Sequence, residues 1–191
     1  MIYLSAGHYP ESPGACHNDF CEYDEAAKWV VLLQKLLQPR TTVLMVPADK
    51  LTAKVAFINK TPTKPGDLAI EIHFNSDVSK KQHGSETLYC PGSVKGERAA
   101  LIVQNALSSL LGPNRGAKEG WYQMDKPGHK DYPGDVEGDE VPDYFLAKTN
   151  CVALILEPEF IYNRLAIESL RDVVCEVLAD AIIEAANAVN K

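Results

Sequence analysis

The sequence predicts an α/β fold: a single-domain, three-layer sandwich in which helices cover both faces of a twisted, mostly parallel sheet. First, short apolar segments alternate with longer ones whose apolar residues recur at helical spacing. Second, residues 152–156 are apolar without interruption, which is typical of a central strand covered on both faces. Third, a length of 191 residues suggests one domain with a sizeable core.

The first predicted elements are a strand, a helix and a second strand. Residues 2–6 are apolar and end at a Gly-His pair, and the Pro- and Gly-containing segment 9–19 predicts a loop. Apolar residues at helical spacing predict a helix over 22–38, which Pro39 ends. Residues 42–46 are apolar and β-branched and predict the second strand.

The remaining elements continue the alternation. Helical spacing recurs at 49–59, and a strand of buried character is predicted at 68–75. Another strand is predicted at 84–90, followed by a helix at 93–111. After the central strand described above, residues 165–189 predict the last helix.

Composition limits the possible partners. Hydrophobic residues make up 46% of the chain and charged residues 24%, which is typical of globular proteins. The formal net charge of −7 argues against nucleic acid, because phosphates are bound by clustered Lys and Arg. No apolar run approaches the roughly 20 residues of a membrane span, and no signal peptide precedes the first strand. We therefore expect no nucleic acid, no membrane insertion and synthesis in the cytoplasm.

The five cysteines are odd in number and form no dense framework, so mostly reduced thiols are expected. Cys16, His17 and Cys21 could suggest a second zinc site. No downstream pair at finger spacing completes such a site, so loop thiols are the favoured interpretation.

Four side chains at strand ends or a helix start offer the groups of one catalytic zinc site: His8, Glu22, His73 and Glu157. Two His and a carboxylate leave the fourth position of zinc open for water, and a further Glu supplies proton transfer. Singly, a His after a strand is more often structural, and Glu22 is stabilised by the helix dipole without any metal. Glu157 is different, because a carboxylate ending an apolar strand is costly to bury without a partner.

These residues lie in strings whose order carries a family resemblance: AGH (6–8), GAC (14–16), CEY (21–23), IEIHFNS (70–76), GSETLY (84–89), NRGAK (114–118), YFLAKTN (144–150) and ALILEPEFIYN (153–163). The chain resembles the zinc-dependent N-acetylmuramoyl-L-alanine amidases of the third type, and among them the compact catalytic domains of phage endolysins. The resemblance spans nearly the whole chain and implies one catalytic domain over 1–191, without a wall-binding domain.

The resemblance implies one zinc ion per chain, held by His8, Glu22 and His73, with Glu157 as the catalytic carboxylate. Glu25 is the alternative to Glu22, one turn along the same helix, but CEY matches the family string and favours Glu22. Asn75 follows the second His ligand, where it would orient the site or touch substrate; a turn-closing Asn is the structural alternative. The implied substrate is peptidoglycan, cut between N-acetylmuramic acid and L-alanine.

The sequence departs from the family pattern at two places. Tyr9 stands where the family has another Gly after the His, which would alter the near side of the groove. The segment 120–143 is expected to be an inserted loop, most clearly at 123–142, and would serve as a lid, a substrate-reading loop or a tether. The acidic residues of 131–140 could bind calcium, although no EF-hand pattern is present and a solvated loop is favoured.

Two other functions remain open from the sequence. One is a zinc peptidase that cuts inside the stem peptide, and the other is a peptidoglycan-binding module with a vestigial site. Retention of all four site residues argues against the binding module. As an endolysin, the protein would reach the wall with the help of a separate, holin-type membrane-permeabilising protein.

Overall fold

A computed structural model of the chain describes residues 1–123 and 140–190. In chain order its elements are β1 (Ile2–Ala6), β2 (Cys16–His17), β3 (Phe20–Cys21), α1 (Glu22–Leu37), β4 (Val43–Met45), α2 (Leu51–Asn59), β5 (Leu68–Ile72), β6 (Ser85–Tyr89), α3 (Val94–Ser108), β7 (Asn114–Glu119), β8 (Trp121–Gln123), β9 (Glu140–Pro142), α4 (Tyr144–Lys148), β10 (Val152–Glu157) and α5 (Arg164–Val189).

Six of these strands form the main sheet in the order β4-β1-β5-β10-β6-β7. Strand β1 pairs in parallel with β4 and β5, and β5 pairs in parallel with β10. Strand β6 runs antiparallel to β10, and β7 is parallel to β6. The predicted α/β class with a mostly parallel sheet is confirmed. Because β1, β5 and β10 are parallel neighbours, their carboxyl ends meet at one edge of the sheet.

The helices cover both faces of this sheet, and alternation along β5 shows how. Leu68, Ile70 and Ile72 enter the larger core, which is closed by α1, α3 and α5. Ala69 points to the opposite face and joins a smaller core with residues of α2 and α4. Glu71 lies on that second face, beneath α2. No helix in residues 1–123 and 140–190 is both long and apolar enough to cross a membrane.

Several elements differ from the sequence-based prediction. Strand β7 was not predicted, because its sequence NRGAKE is polar and the strand lies at the edge of the sheet, half exposed. The predicted insertion at 120–143 is not loop throughout, since β8 and β9 pair antiparallel at its two ends. Its remaining residues, 124–139, lie outside the described part of the chain, so the lid, the substrate-reading loop, the tether and the favoured solvated acidic loop stay predictions.

The expectation of reduced thiols is wrong for two of the five cysteines. Strands β2 and β3 form a hairpin, of which β2 lies within the segment 9–19 predicted as loop, and their register sets Cys16 directly opposite Cys21. The two residues form a disulfide, while Cys90, Cys151 and Cys175 are free. Because both sulfur atoms are used in the disulfide, neither is available as a thiolate ligand for the alternative second zinc site.

Candidate metal centre

Three of the predicted site residues come together at the carboxyl edge of the central strands. His8 lies just beyond β1, His73 follows β5 directly, and Glu22 is the first residue of α1. One side-chain nitrogen or oxygen atom of each lies within 4.8 Å of the other two. The two His residues lie close together because β1 and β5 are paired. Glu22 directly follows β3, so the β2–β3 hairpin positions it next to them.

Glu22 is the centre of this group, with one carboxylate oxygen for each imidazole. Its Oε1 lies 2.8 Å from His73 Nδ1 and its Oε2 lies 3.2 Å from His8 Nε2. The backbone N–H groups of Ala15 and Phe74 donate to the same oxygens, at 3.1 and 3.2 Å. Burial by itself raises the pKa of Glu22, but the contacts with His73 and His8 outweigh it and hold the pKa well below its usual value. Glu22 is therefore an anion.

Two glycines, Gly7 and Gly14, have no side chain at positions where His8, Glu22 and His73 lie against the backbone. A Cβ atom at Gly7 would lie 2.5 Å from the ring of His73. A Cβ atom at Gly14 would lie 2.4 Å from His8 and 2.6 Å from Glu22 Oε2, and Gly14 has a φ of +77°, which side-chain-bearing residues rarely adopt. His8 itself has a φ of 61°, a sparsely populated conformation for a non-glycine residue.

The second ring nitrogen of His73 meets another carboxylate, which the sequence analysis missed. His73 Nε2 lies 3.2 Å from Oε2 of Glu71, a buried residue that also pairs with Lys54 at 2.8 Å. Burial alone lowers the pKa of His73, but its contacts with Glu22 and Glu71 raise the pKa well above the usual value. The available signal was the charge of Glu71 inside the apolar run LAIEI.

Glu157 ends β10 beside this group and differs from the other carboxylates. Among the residues that the structure describes, its buried Oε2 atom has no hydrogen-bond partner. Burial raises the pKa of Glu157 well above its usual value; the charge of His73 opposes this shift, while Glu22, Glu86 and Glu71 add to it. A carboxyl with a raised pKa and a free oxygen can both accept and return a proton.

A cleft of about 310 Å³ opens in front of these groups. Its lining includes His8, His73 and Glu157, together with Glu71 and Lys54. The other residues that line it are Tyr9, Asp49, Leu51, Leu88, Gly120, Trp121, Asp143 and Ile155. The wall thus mixes aromatic and aliphatic surface with a few polar groups, as is usual for sites that bind organic ligands.

Glu25 and Asn75 are placed differently. Glu25 is fully buried and pairs with Lys28 at 2.7 Å and Arg171 at 3.0 Å, so it joins α1 to α5 and lies apart from the His cluster. Asn75 donates to Glu86 at 2.8 Å. Glu86 is the register partner of Glu157 across β10 and β6.

The Glu86 carboxylate also contacts two cations of β7. Arg115 Nε lies 3.2 Å from it and Lys118 Nζ lies 2.6 Å from it. Burial raises the pKa of Glu86, but the contacts with Lys118, Asn75 and Arg115 outweigh it and lower the pKa below its usual value. Asn75 therefore orients a residue next to Glu157, and contact of Asn75 with substrate stays a prediction.

The chain matches one protein family and several solved structures. A family model described as N-acetylmuramoyl-L-alanine amidase (Amidase_3) matches residues 2–188. The fold is similar to the catalytic domain of CwlV, an N-acetylmuramoyl-L-alanine amidase from Bacillus (Paenibacillus) polymyxa var. colistinus, with a TM-score of 0.75, 18% identity and 96% of each chain covered. No curated protein sequence matches the chain.

Two further structures show the same fold. One is the N-acetylmuramoyl-L-alanine amidase from Clostridium difficile 630, with a TM-score of 0.72, 18% identity, and coverage of 96% of this chain and 92% of that chain. The other is the catalytic domain of the CD27L endolysin targeting Clostridia Difficile, with a TM-score of 0.68, 21% identity and 96% of each chain covered. Because the sequence identities are only 18–21%, these structures establish a shared fold and nothing more.

Proposed function

The chain belongs to the N-acetylmuramoyl-L-alanine amidase family, and on this basis we propose that it cuts the amide bond between N-acetylmuramic acid and L-alanine at a single zinc centre. It is a hydrolase with peptidoglycan as its substrate. The observation that carries the proposal is the convergence of His8, Glu22 and His73 next to the free carboxylate oxygen of Glu157.

The donor set fits zinc. Two imidazoles and one carboxylate are a ligand set of catalytic zinc sites, in which protein side chains fill three positions. Each oxygen of Glu22 lies 2.8–3.2 Å from one imidazole nitrogen, and one potential ligand atom from each of the three residues lies within 4.8 Å of the others. His8, Glu22 and His73 would hold the zinc ion, which would supply a Lewis acid for the scissile carbonyl and lower the pKa of a water molecule to about 7.

Glu157 moves the proton in this proposal. Its unpartnered Oε2 accepts a proton from the attacking water, and the carboxyl then donates this proton to the nitrogen that leaves. The transfer is required because an amine is a poor leaving group unless it is protonated. Burial among other carboxylates raises the pKa of Glu157, which favours return of the proton to the nitrogen.

We propose that an apolar wall of the cleft binds the glycan side of the substrate. Trp121 is 43% exposed and lines the cleft together with Tyr9 and Leu51. Aromatic side chains give flat apolar surface against which sugar rings pack. We assign the glycan strand to this apolar wall, and Tyr9 makes the near side of the groove bulkier than a glycine would.

The biological setting of the proposal is lysis of a bacterial wall by a phage or prophage endolysin. The family match and the fold shared with an endolysin catalytic domain support this setting. In it, the protein is made in the cytoplasm and reaches the wall after a holin-type protein permeabilises the membrane.

Mass analysis of muropeptides released by the wild-type chain and by Glu157→Gln tests the proposal. The wild type should release free peptides and leave intact glycan, whereas cleaved stem peptides would indicate a peptidase and no products a binding module. Glu157→Gln should keep its zinc, because Glu157 is not a ligand, and lose roughly 10²–10⁴-fold in activity. Loss of zinc in this variant would make Glu157 a ligand, and near-normal activity would remove it from the mechanism.

A further inference from the structure

Glu71 is a buried carboxylate that contacts a proposed metal ligand and has no part in the reaction described so far. It precedes His73, the first residue after β5, by two positions, and the two side chains lie on the same side of the sheet. Its Oε2 lies 3.2 Å from His73 Nε2. Its Oε1 accepts hydrogen bonds from Ser5 Oγ at 3.0 Å and Lys54 Nζ at 2.8 Å. Each carboxylate oxygen therefore has its own partners.

Lys54 determines which oxygen of Glu71 faces His73. It reaches from α2 to the sheet, is 2% exposed, and also donates to the backbone oxygen of Ala6 at 2.5 Å. An ammonium group only donates hydrogen bonds, so the atom of residue 71 that faces Lys54 has to be an acceptor. A buried Lys–Glu pair is weak evidence for stability, because desolvation offsets much of its attraction. Its position behind His73 suggests a different role.

We propose that Glu71, held by Lys54, positions His73 for the metal by accepting the hydrogen of Nε2 and leaving Nδ1 free as the ligand atom. A neutral imidazole carries one N–H, and an ionised carboxylate can only accept it. Nδ1 is the nitrogen that faces Glu22, at 2.8 Å. Metal-binding His residues commonly donate their second N–H to a carboxylate, which fixes the ring and its hydrogen. This inference rests on the metal centre of the proposed function.

The variant Glu71→Gln tests the inference directly. Lys54 requires the amide oxygen of Gln, because an ammonium group can only donate, so the amide NH₂ group turns to His73 and donates to Nε2. The ring hydrogen then moves to Nδ1 and blocks the ligand atom. We expect zinc affinity to fall roughly 10–100-fold, the usual effect of losing such a partner. Competition of the full chain with a chelating dye for zinc measures this without any substrate.

The double variant Lys54→Met, Glu71→Gln supplies the decisive comparison. Without the ammonium group, the amide can turn so that its oxygen accepts the Nε2 hydrogen again. We therefore expect the double variant to recover most of the affinity that Glu71→Gln loses. A purely structural role predicts the opposite, because the double variant removes more contacts. The same pair of changes at Lys28 and Glu25, a Lys–Glu pair outside the site, is the matched control and should leave zinc affinity unchanged.

If the wild type takes up zinc, three results would overturn the inference alone: wild-type zinc affinity in Glu71→Gln, a loss that the double variant does not recover, or a ring hydrogen on Nδ1. The third is read from ¹⁵N NMR of the His73 ring in the zinc-loaded wild type, where we expect the hydrogen on Nε2. This measurement decides the matter even if Glu71→Gln does not fold. Wild-type protein that takes up no zinc would overturn the proposed metal centre and this inference with it. Zinc uptake with the hydrogen on Nδ1 overturns the inference alone.

Discussion

Gly14 lies against the ring of His8 so closely that a Cβ atom added at Gly14 would stand 2.4 Å from His8 Cδ2. We therefore expect Gly14→Ala to displace His8 and Glu22 and to lose most of the bound zinc, as measured by elemental analysis of the purified protein. Gly92→Ala is the matched control, because Gly92 has a similar φ of +73° and nothing within 4 Å of an added Cβ. Both variants carry the backbone strain of a positive φ, about 1 kcal/mol or more. Equal zinc loss in the two variants would contradict the steric explanation.

The ligand assignment predicts a different pattern for the two glutamates of α1. His8→Ala and His73→Ala should abolish zinc binding, and Glu22→Ala should weaken it severely. Glu25→Ala should bind zinc normally but unfold more easily, by about 1–3 kcal/mol, because Lys28 and Arg171 lose their buried partner. Zinc titration and urea denaturation separate the two effects. If Glu25→Ala loses zinc while Glu22→Ala keeps it, the assignment is wrong.

The raised pKa of Glu157 predicts how stability depends on pH in the metal-free protein. In the unfolded chain a Glu ionises near pH 4.3 (roughly its ordinary value), whereas in the fold the pKa is well above this. The protonated carboxyl thus stabilises the fold fully below about pH 4, and this contribution is lost as the pH rises through the folded pKa. Glu157→Gln does not titrate, so its stability relative to the wild type should increase from pH 4 upward. Parallel stability curves in denaturant, with a chelator present, would contradict the shift.

The disulfide predicts how many thiols react. Denatured without a reductant, the protein should show three thiols, and after reduction five. Burial raises the pKa of both Cys151 and Cys175 to about 12, so these two thiols should react slowly with a thiol reagent in the native state. Replacing Cys16 and Cys21 by Ser should lower the free energy of unfolding by about 2 kcal/mol and leave zinc content unchanged. Five reactive thiols without a reductant would show that the bond does not form.

The apolar patterns of the sequence were sufficient to predict the central strands and with them the meeting of the site residues. The run VALIL places Glu157 at a strand end, and IEI does the same for His73, so parallel pairing brings the two together. Glu71 and Lys54 were missed for a physical reason. Periodicity predicts which face is buried, but it does not identify which distant cation neutralises a buried carboxylate.

The disulfide and the edge strand β7 show two other limits of the sequence. Cys16 and Cys21 are joined through a tight turn in which Asn18 has a φ of 57°, a conformation that Asn adopts more readily than most residues. The expectation of reduced thiols rested on the odd cysteine count and did not consider this turn. Strand β7 lacks an apolar pattern, because only one of its sides has a neighbouring strand and its side chains are half exposed.

The polar sequence of β7 has a consequence for the behaviour of the protein at high concentration. The outer edge of a terminal strand offers unpaired backbone groups to which a strand of another molecule can add. Here the edge strand carries Arg115, Lys118 and Glu119 within six residues. Charged side chains on an edge strand oppose such addition, because a second chain would have to desolvate them. Arg115 and Lys118, which neutralise Glu86, thus also protect the open side of the sheet from aggregation.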